Sequence, residues 1–185
     1  KIWLISKGIS PEKIETFPLK EGFNMGDMIL VKTPDGQGEL LGWKFPTFFS
    51  STQLGDVVIY NRDKKHGKGE PIIHRVVGIV KIKNFSVYEI EGTLSCLRRE
   101  DFEKTYIPLI VNCINGKECP YREFPTSGNF NFYITKGDNN PEVDQCSPIA
   151  YPVNEKQLKA RGWIRIPYLG WLKLILNSFL KLFLG

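Results

Sequence analysis

Two histidines stand among the 185 residues, and they sit in different company. His74 lies in Pro71-Ile72-Ile73-His74-Arg75-Val76-Val77-Gly78-Ile79, a β-branched run that reads as a strand. Alternation along it places Ile72, His74 and Val76 on one face and Ile73, Arg75 and Val77 on the other. His66 lies in a turn with Arg62, Lys64, Lys65 and Lys68 and is expected to be solvated. A strand histidine becomes a general base when a carboxylate takes its Nδ1 hydrogen, which fixes the tautomer and stabilises the imidazolium. The chain offers such carboxylates in Lys136-Gly137-Asp138-Asn139-Asn140-Pro141-Glu142-Val143-Asp144. The same segment also suits an Asx-type turn that satisfies only its own backbone.

The elements that must carry these residues are mostly strands. Gly26-Asp27 precedes Met28-Ile29-Leu30-Val31-Lys32, Gly55-Asp56 precedes Val57-Val58-Ile59-Tyr60, and Gly137-Asp138 follows Phe130 to Thr135. Glycine permits the turn, and aspartate bonds its own backbone beyond it. Further strands are expected over Ile72 to Lys83 and Val87 to Glu91. Seventeen Gly and twelve Pro suit a strand-and-turn architecture, and 42% hydrophobic residues suit a packed body rather than disorder. A chain of this length forms one domain, with or without a substantial insertion.

Residues 93–128 read as that insertion on the strand framework, with a short helix expected near Leu97 to Lys104. They hold Cys96, Cys113 and Cys119; the fourth cysteine is Cys146. No pair has C-x-x-C spacing, so neither a zinc site nor any other cofactor is expected. Disulfides and buried free thiols both remain open. The net charge of +5 is spread too thinly to name a partner. Phe45, Phe48 and Phe49 cluster without interleaved basic residues, so no nucleic-acid partner is expected.

The two ends are apolar. Ile2-Trp3-Leu4-Ile5, after Lys1, suits the stump of an N-terminal anchor and is too short to span a bilayer. Residues 168–185 are nearly all apolar, with Lys173, Asn177 and Lys181 recurring every four positions as one polar stripe. This is expected to be an amphipathic helix lying in a membrane interface with its lysines snorkelling.

Several segments resemble signal peptidases of the archaeal and endoplasmic-reticulum type. Pro71 to Val76 resembles the family's histidine box. Tyr133-Ile134-Thr135-Lys136-Gly137-Asp138-Asn139-Asn140, with Asp144 beyond, resembles its aspartate box. Gly55 to Tyr60 is similar to the strand before the histidine. Ala160-Arg161-Gly162-Trp163 and Ile166-Pro167-Tyr168-Leu169-Gly170-Trp171 resemble the closing segment. The matches fall in the family's order over about two-thirds of the chain, and it is the ordered set that is specific.

The resemblance implies a mainly β fold: a signal-peptidase-like antiparallel β-sheet or barrel core over residues 1–185, carrying the Cys-containing insertion and the C-terminal helix. It implies a membrane-bound serine endopeptidase that removes signal peptides from exported proteins. Its partners would be those pre-proteins, membrane lipid and accessory membrane subunits. The active site would lie on the extracytoplasmic or lumenal face. His74 would be the base, Asp144 the catalytic aspartate and Asp138 a supporting one. The family's nucleophilic serine falls on Gly8 in one register and on Pro18 in another, and neither carries a hydroxyl. Three accounts are open: the serine has been replaced deliberately, the protein is naturally without one, or Ser6 or Ser10 serves from a shifted register. A different class of function also fits, a non-catalytic membrane subunit that holds an extended peptide by strand addition.

Overall fold

The computed structural model describes residues 1–22, 27–34, 37–40, 43–46, 51–67, 69–147, 149–172 and 175. Two short helices come first, α1 (Ile2–Ser6) and α2 (Pro11–Glu15). Pro11 starts α2 where its missing N–H is no loss, and the Ser10 hydroxyl caps it by accepting from Lys13 N–H at 3.2 Å. Ile9, Ile14 and Phe17 bury together beneath this pair.

The body is an antiparallel sheet. Its strands are β1 (Met28–Lys32), β4 (Val57–Tyr60), β5 (Ile72–Lys83), β6 (Ser86–Gly92), β7 (Phe130–Lys136), β8 (Val153–Asn154) and β9 (Leu158–Ile166). The hairpin β2 (Gln37–Leu40) and β3 (Trp43–Pro46) stands apart. The main order is β1-β9-β4-β5-β7-β8, with β6 also paired to β5, and the sheet is open rather than closed into a barrel.

β5 is the axis. Its first residues pair with β4 (Val58 opposite His74) and its last with β6, both on one edge, while β7 runs along the other edge. Gly78 stands at the hand-over from β4 to β6. A Cβ there would lie 2.1 Å from the Thr93 carbonyl oxygen, so only glycine lets the chain leaving β6 come this close.

Both faces of β5 are covered, which is why its sequence is almost uniformly apolar. Ile72, Val76 and Ile79 pack with Val58, Tyr60, Tyr133 and Val153. Val77, Val80 and Ile82 pack with Phe130, Phe132 and residues of the 93–128 segment. That segment forms one continuous helical stretch from Arg99 to Ile114: α3 (Arg99–Asp101), a π-helical turn (Phe102–Tyr106) and α4 (Ile107–Ile114). Phe102, Ile107, Ile110, Cys113 and Tyr121 are buried in the main core.

The helix therefore runs about three turns beyond the expected 97–104, at 1.5 Å per residue. Phe102, Tyr106, Ile110 and Cys113 carry the helical spacing. Pro108 does not stop it: the proline follows the π-helical turn, as the second residue of α4.

The cysteines form two disulfides, Cys96–Cys146 and Cys113–Cys119. Strands β8 and β9 and the β2–β3 hairpin were not expected. The helix that begins at 169 is described only through 172 and at 175, so Lys173, Asn177 and Lys181 lie outside the described residues, as do Gly26, Phe48, Phe49 and Lys68. No helix among the described residues is long and apolar enough to cross a membrane.

Candidate active site

His74 and Asp144 meet. His74 Nδ1 lies 2.6 Å from Asp144 Oδ2, across 70 positions of sequence. The strand pairing explains the meeting. β7 lies against β5 with Lys136 opposite Arg75, so the chain leaving β7 turns back past the His74 end of β5. The Asp144 N–H then donates to the Thr135 carbonyl at 2.8 Å, which returns the loop to the strand it left.

Asp144 is fully buried and its Oδ2 accepts three bonds: from His74 Nδ1, from Thr135 Oγ1 at 2.6 Å and from Tyr60 OH at 2.9 Å. Burial, and then the Asp144 charge, push the Tyr60 hydroxyl far above its usual range, so it remains a donor. A carboxylate on Nδ1 holds the hydrogen there and leaves Nε2 as the basic nitrogen of the neutral ring. Nε2 has no hydrogen-bond partner among the described residues. Gly137 keeps it open: a Cβ on that residue would lie 2.7 Å from Nε2 and 2.8 Å from the Asn140 amide nitrogen.

Asp138 does not join this pair; it binds Arg75, the next residue on β5. Its carboxylate takes Arg75 Nε and Nη2, each at 2.9 Å. Arg75 Nη1 donates to the carbonyls of Pro18 and Gly55, and Nη2 to that of Leu19. All five guanidinium hydrogens are used. The buried arginine thus clamps residues 18–19, the β4 entry and the Asp138 turn around one point beside His74. Its burial among apolar strand neighbours gives no sequence signal of this role.

A cavity of about 440 Å³ opens on His74. Its apolar wall includes Trp3, Leu4, Ile14 and Phe17, and its polar side includes Lys136 and Asn140. No Ser, Thr, Cys or Tyr is among the described residues that line it. Gly8, Ser6 and Ser10 are not in the wall. Ser6 Oγ donates to the Trp3 carbonyl at 2.8 Å, and Ser10 caps α2. Pro18 is not in the wall either; its carbonyl accepts from Arg75, the residue after His74, at 2.7 Å, and its chain neighbour Phe17 lines the cavity.

Lys136 is a site residue that pattern reading passed over. It is 6% exposed; its Nζ donates to the Gly137 carbonyl at 3.0 Å and stands 4.8 Å from the centre of the Trp3 ring. Burial lowers its pKa below 10.5, against the opposing charges of Asp138, Asp144 and Glu142. The only hint in sequence was a lysine ending an otherwise buried strand.

The second histidine differs from its expected solvated state. His66 Nδ1 sits 2.7 Å from the buried Asp63, and its ring meets the Tyr151 ring edge-on at 5.0 Å. Asp63 also accepts the backbone N–H groups of Lys65, His66 and Tyr151, which marks a turn-anchoring carboxylate.

No group of His, Cys, Asp and Glu among the described residues could hold a metal ion. Compared with known proteins, the chain matches no family model, no curated protein and no solved structure.

Proposed function

We propose that this chain is a signal-peptidase-type domain that holds an extended peptide at the His74 cavity and lacks the hydroxyl needed to cut it. The observation that carries the reading is the His74–Asp144 pair, with its outer nitrogen open to a cavity of peptide-binding size. The ordered resemblance of the histidine and aspartate boxes supplies the substrate class, signal peptides of exported pre-proteins.

Two further features support a membrane-facing, oxidising location. Two disulfides suit an extracytoplasmic or lumenal compartment. Tyr168, Leu169, Trp171 and Leu172 stand exposed where the chain leaves β9, as an interfacial apolar surface would.

With a serine in the vacant slot, the chemistry is acyl transfer. The serine oxygen bonds to the scissile carbonyl carbon as its proton passes to His74 Nε2. The tetrahedral oxyanion collapses, the C–N bond breaks, and His74 returns the proton to the leaving amine. Water then hydrolyses the ester by the same route. Asp144 stays ionised and holds the ring throughout. Loss of such a nucleophile lowers turnover by about a million-fold, so the native chain binds without cutting.

The test is binding and cleavage of a signal-peptide precursor by the native chain, Pro18→Ser, Gly8→Ser and Gly137→Val. The native chain is expected to bind without cleaving. Pro18→Ser is expected to gain slow cleavage that His74→Ala removes, while Gly137→Val blocks binding by crowding Nε2. Native cleavage abolished by replacing Ser6 or Ser10 would overturn the missing-hydroxyl reading. No binding to any precursor would overturn the peptide reading itself.

A further inference from the structure

A second recess lies away from the His74 cavity, between the loop that joins β4 to β5 and the segment before β7. Its volume is about 240 Å³, and its lining is Asn61, Arg62, Gly67, Gly69 and Arg122. The two walls are stitched together. The Lys64 N–H donates to the Pro120 carbonyl at 2.7 Å, Lys64 Nζ to the Cys119 carbonyl at 3.1 Å, and Arg122 Nη2 to the Gly67 carbonyl at 3.4 Å. The Cys113–Cys119 disulfide pins the second wall to α4. Two guanidiniums are thereby brought to one recess.

Neither Arg62 nor Arg122 makes an ion pair among the described residues. Of the carboxylates next to the lining residues in the chain, Asp63 is paired with His66 and Glu123 with Lys159, while Glu70 is exposed. Arg62 Nε is shut off from water and has no acceptor among the described residues. A buried donor left this way destabilises the chain, and an anion that draws the guanidinium outward removes that cost. The fork of an arginine matches an oxyanion in two parallel bonds, and two forks match a tetrahedral, doubly charged one.

We propose that this recess is an oxyanion site that holds a phosphate group between Arg62 and Arg122. The phosphate is either the free ion or the headgroup of an acidic phospholipid. The site stands on observations independent of the His74 cavity, so its failure would leave the peptide-binding reading untouched.

The experiment follows the Arg62 Nε–Hε resonance while sodium phosphate is added at ionic strength held constant with sodium chloride. A saturable shift is expected, weakened at least about tenfold in Arg122→Gln. Arg122 is exposed, so this variant folds, and Arg62→Gln serves as the second variant. Flotation with phosphatidylcholine vesicles, with and without phosphatidate, separates the sources. Arg122-dependent binding to phosphatidate vesicles that free phosphate competes away assigns the lipid headgroup. A response to phosphate alone assigns the free ion. Shifts that do not saturate, or that are equal in Arg122→Gln, together with no Arg122-dependent vesicle binding, would overturn the proposal.

Discussion

Three donors converge on a single buried oxygen of Asp144, and that convergence sets what a substitution there must do. Asp144→Ala leaves His74 and Tyr60 without their acceptor, while the Thr135 hydroxyl keeps Tyr60 OH at 3.2 Å. Each unmet buried donor costs about 1–3 kcal/mol, so urea unfolding is expected to show a loss of about 3 kcal/mol or more. Asp144→Asn loses less stability, yet its amide can donate to Nδ1 and select the wrong tautomer. Placed in the Pro18→Ser background, it is expected to abolish cleavage while peptide binding persists. Lys136 gives a pH signature at the same scale. Its pKa in the folded state lies below its ordinary 10.5, because burial disfavours the ammonium. Between those two values the unfolded chain binds more protons than the folded one, so rising pH favours folding. Comparing thermal unfolding of the native chain and Lys136→Met, the native chain should gain relative stability as pH rises through the lowered pKa towards 10.5. A difference that stays flat with pH would contradict the burial argument.

At the level of elements, the two disulfides act on loops of very different size. Cys96–Cys146 joins the end of β6 to the turn two residues past Asp144 and closes a 50-residue separation. Cys113–Cys119 closes only six. In the chain-entropy account, the larger loop contributes about 4 kcal/mol and the smaller about 2 kcal/mol. Replacing Cys96 and Cys146 with serine is therefore expected to lower stability about twice as much as replacing the other pair. It should also weaken precursor binding, since it frees the Asp144 turn. The helix of residues 99–114 is a second case. Ile110 is fully buried against the sheet, so Ile110→Ala should cost about 2–5 kcal/mol by calorimetry, as a core substitution does and a surface one does not. Residues 93–128 stand between β6 and β7 in the chain, and Phe102, Ile107, Ile110, Cys113 and Tyr121 supply one side of the main core.

For the molecule as a whole, the open sheet has the His74 cavity roofed by α1 and α2, while an apolar surface emerges beyond β9. Trp163 and Ile164 on β9 and Tyr168, Leu169, Trp171 and Leu172 after it are exposed. Removing residues 170–185 is expected to reduce flotation with neutral liposomes. Unchanged flotation would remove the membrane from the proposed function and leave the peptide site standing.

The strands around the histidine were legible in sequence because β-branched runs bounded by Gly-Asp turns state their own geometry. The chain from Phe130 to Asp144 likewise announced an acidic turn after a strand. Local pattern carried that far because turn chemistry and alternation act over a few residues. The rest required the fold. Strand β9 was missed because its buried and exposed positions depend on β1 and β4 beside it. Arg75 looked like a strand residue, and only in three dimensions do its five hydrogens gather Pro18, Leu19, Gly55 and Asp138. The resemblance separated Asp144 from Asp138, while local pattern did not; pairing of β5 with β7 sets Asp144 on His74 and Asp138 on Arg75. The absence of a hydroxyl at either expected slot was already evident from residue types. Packing alone tied Pro18 to the strand that carries the histidine, because a carbonyl reaching Arg75 across 57 positions is a property of the sheet and its clamps and of no local run of residues.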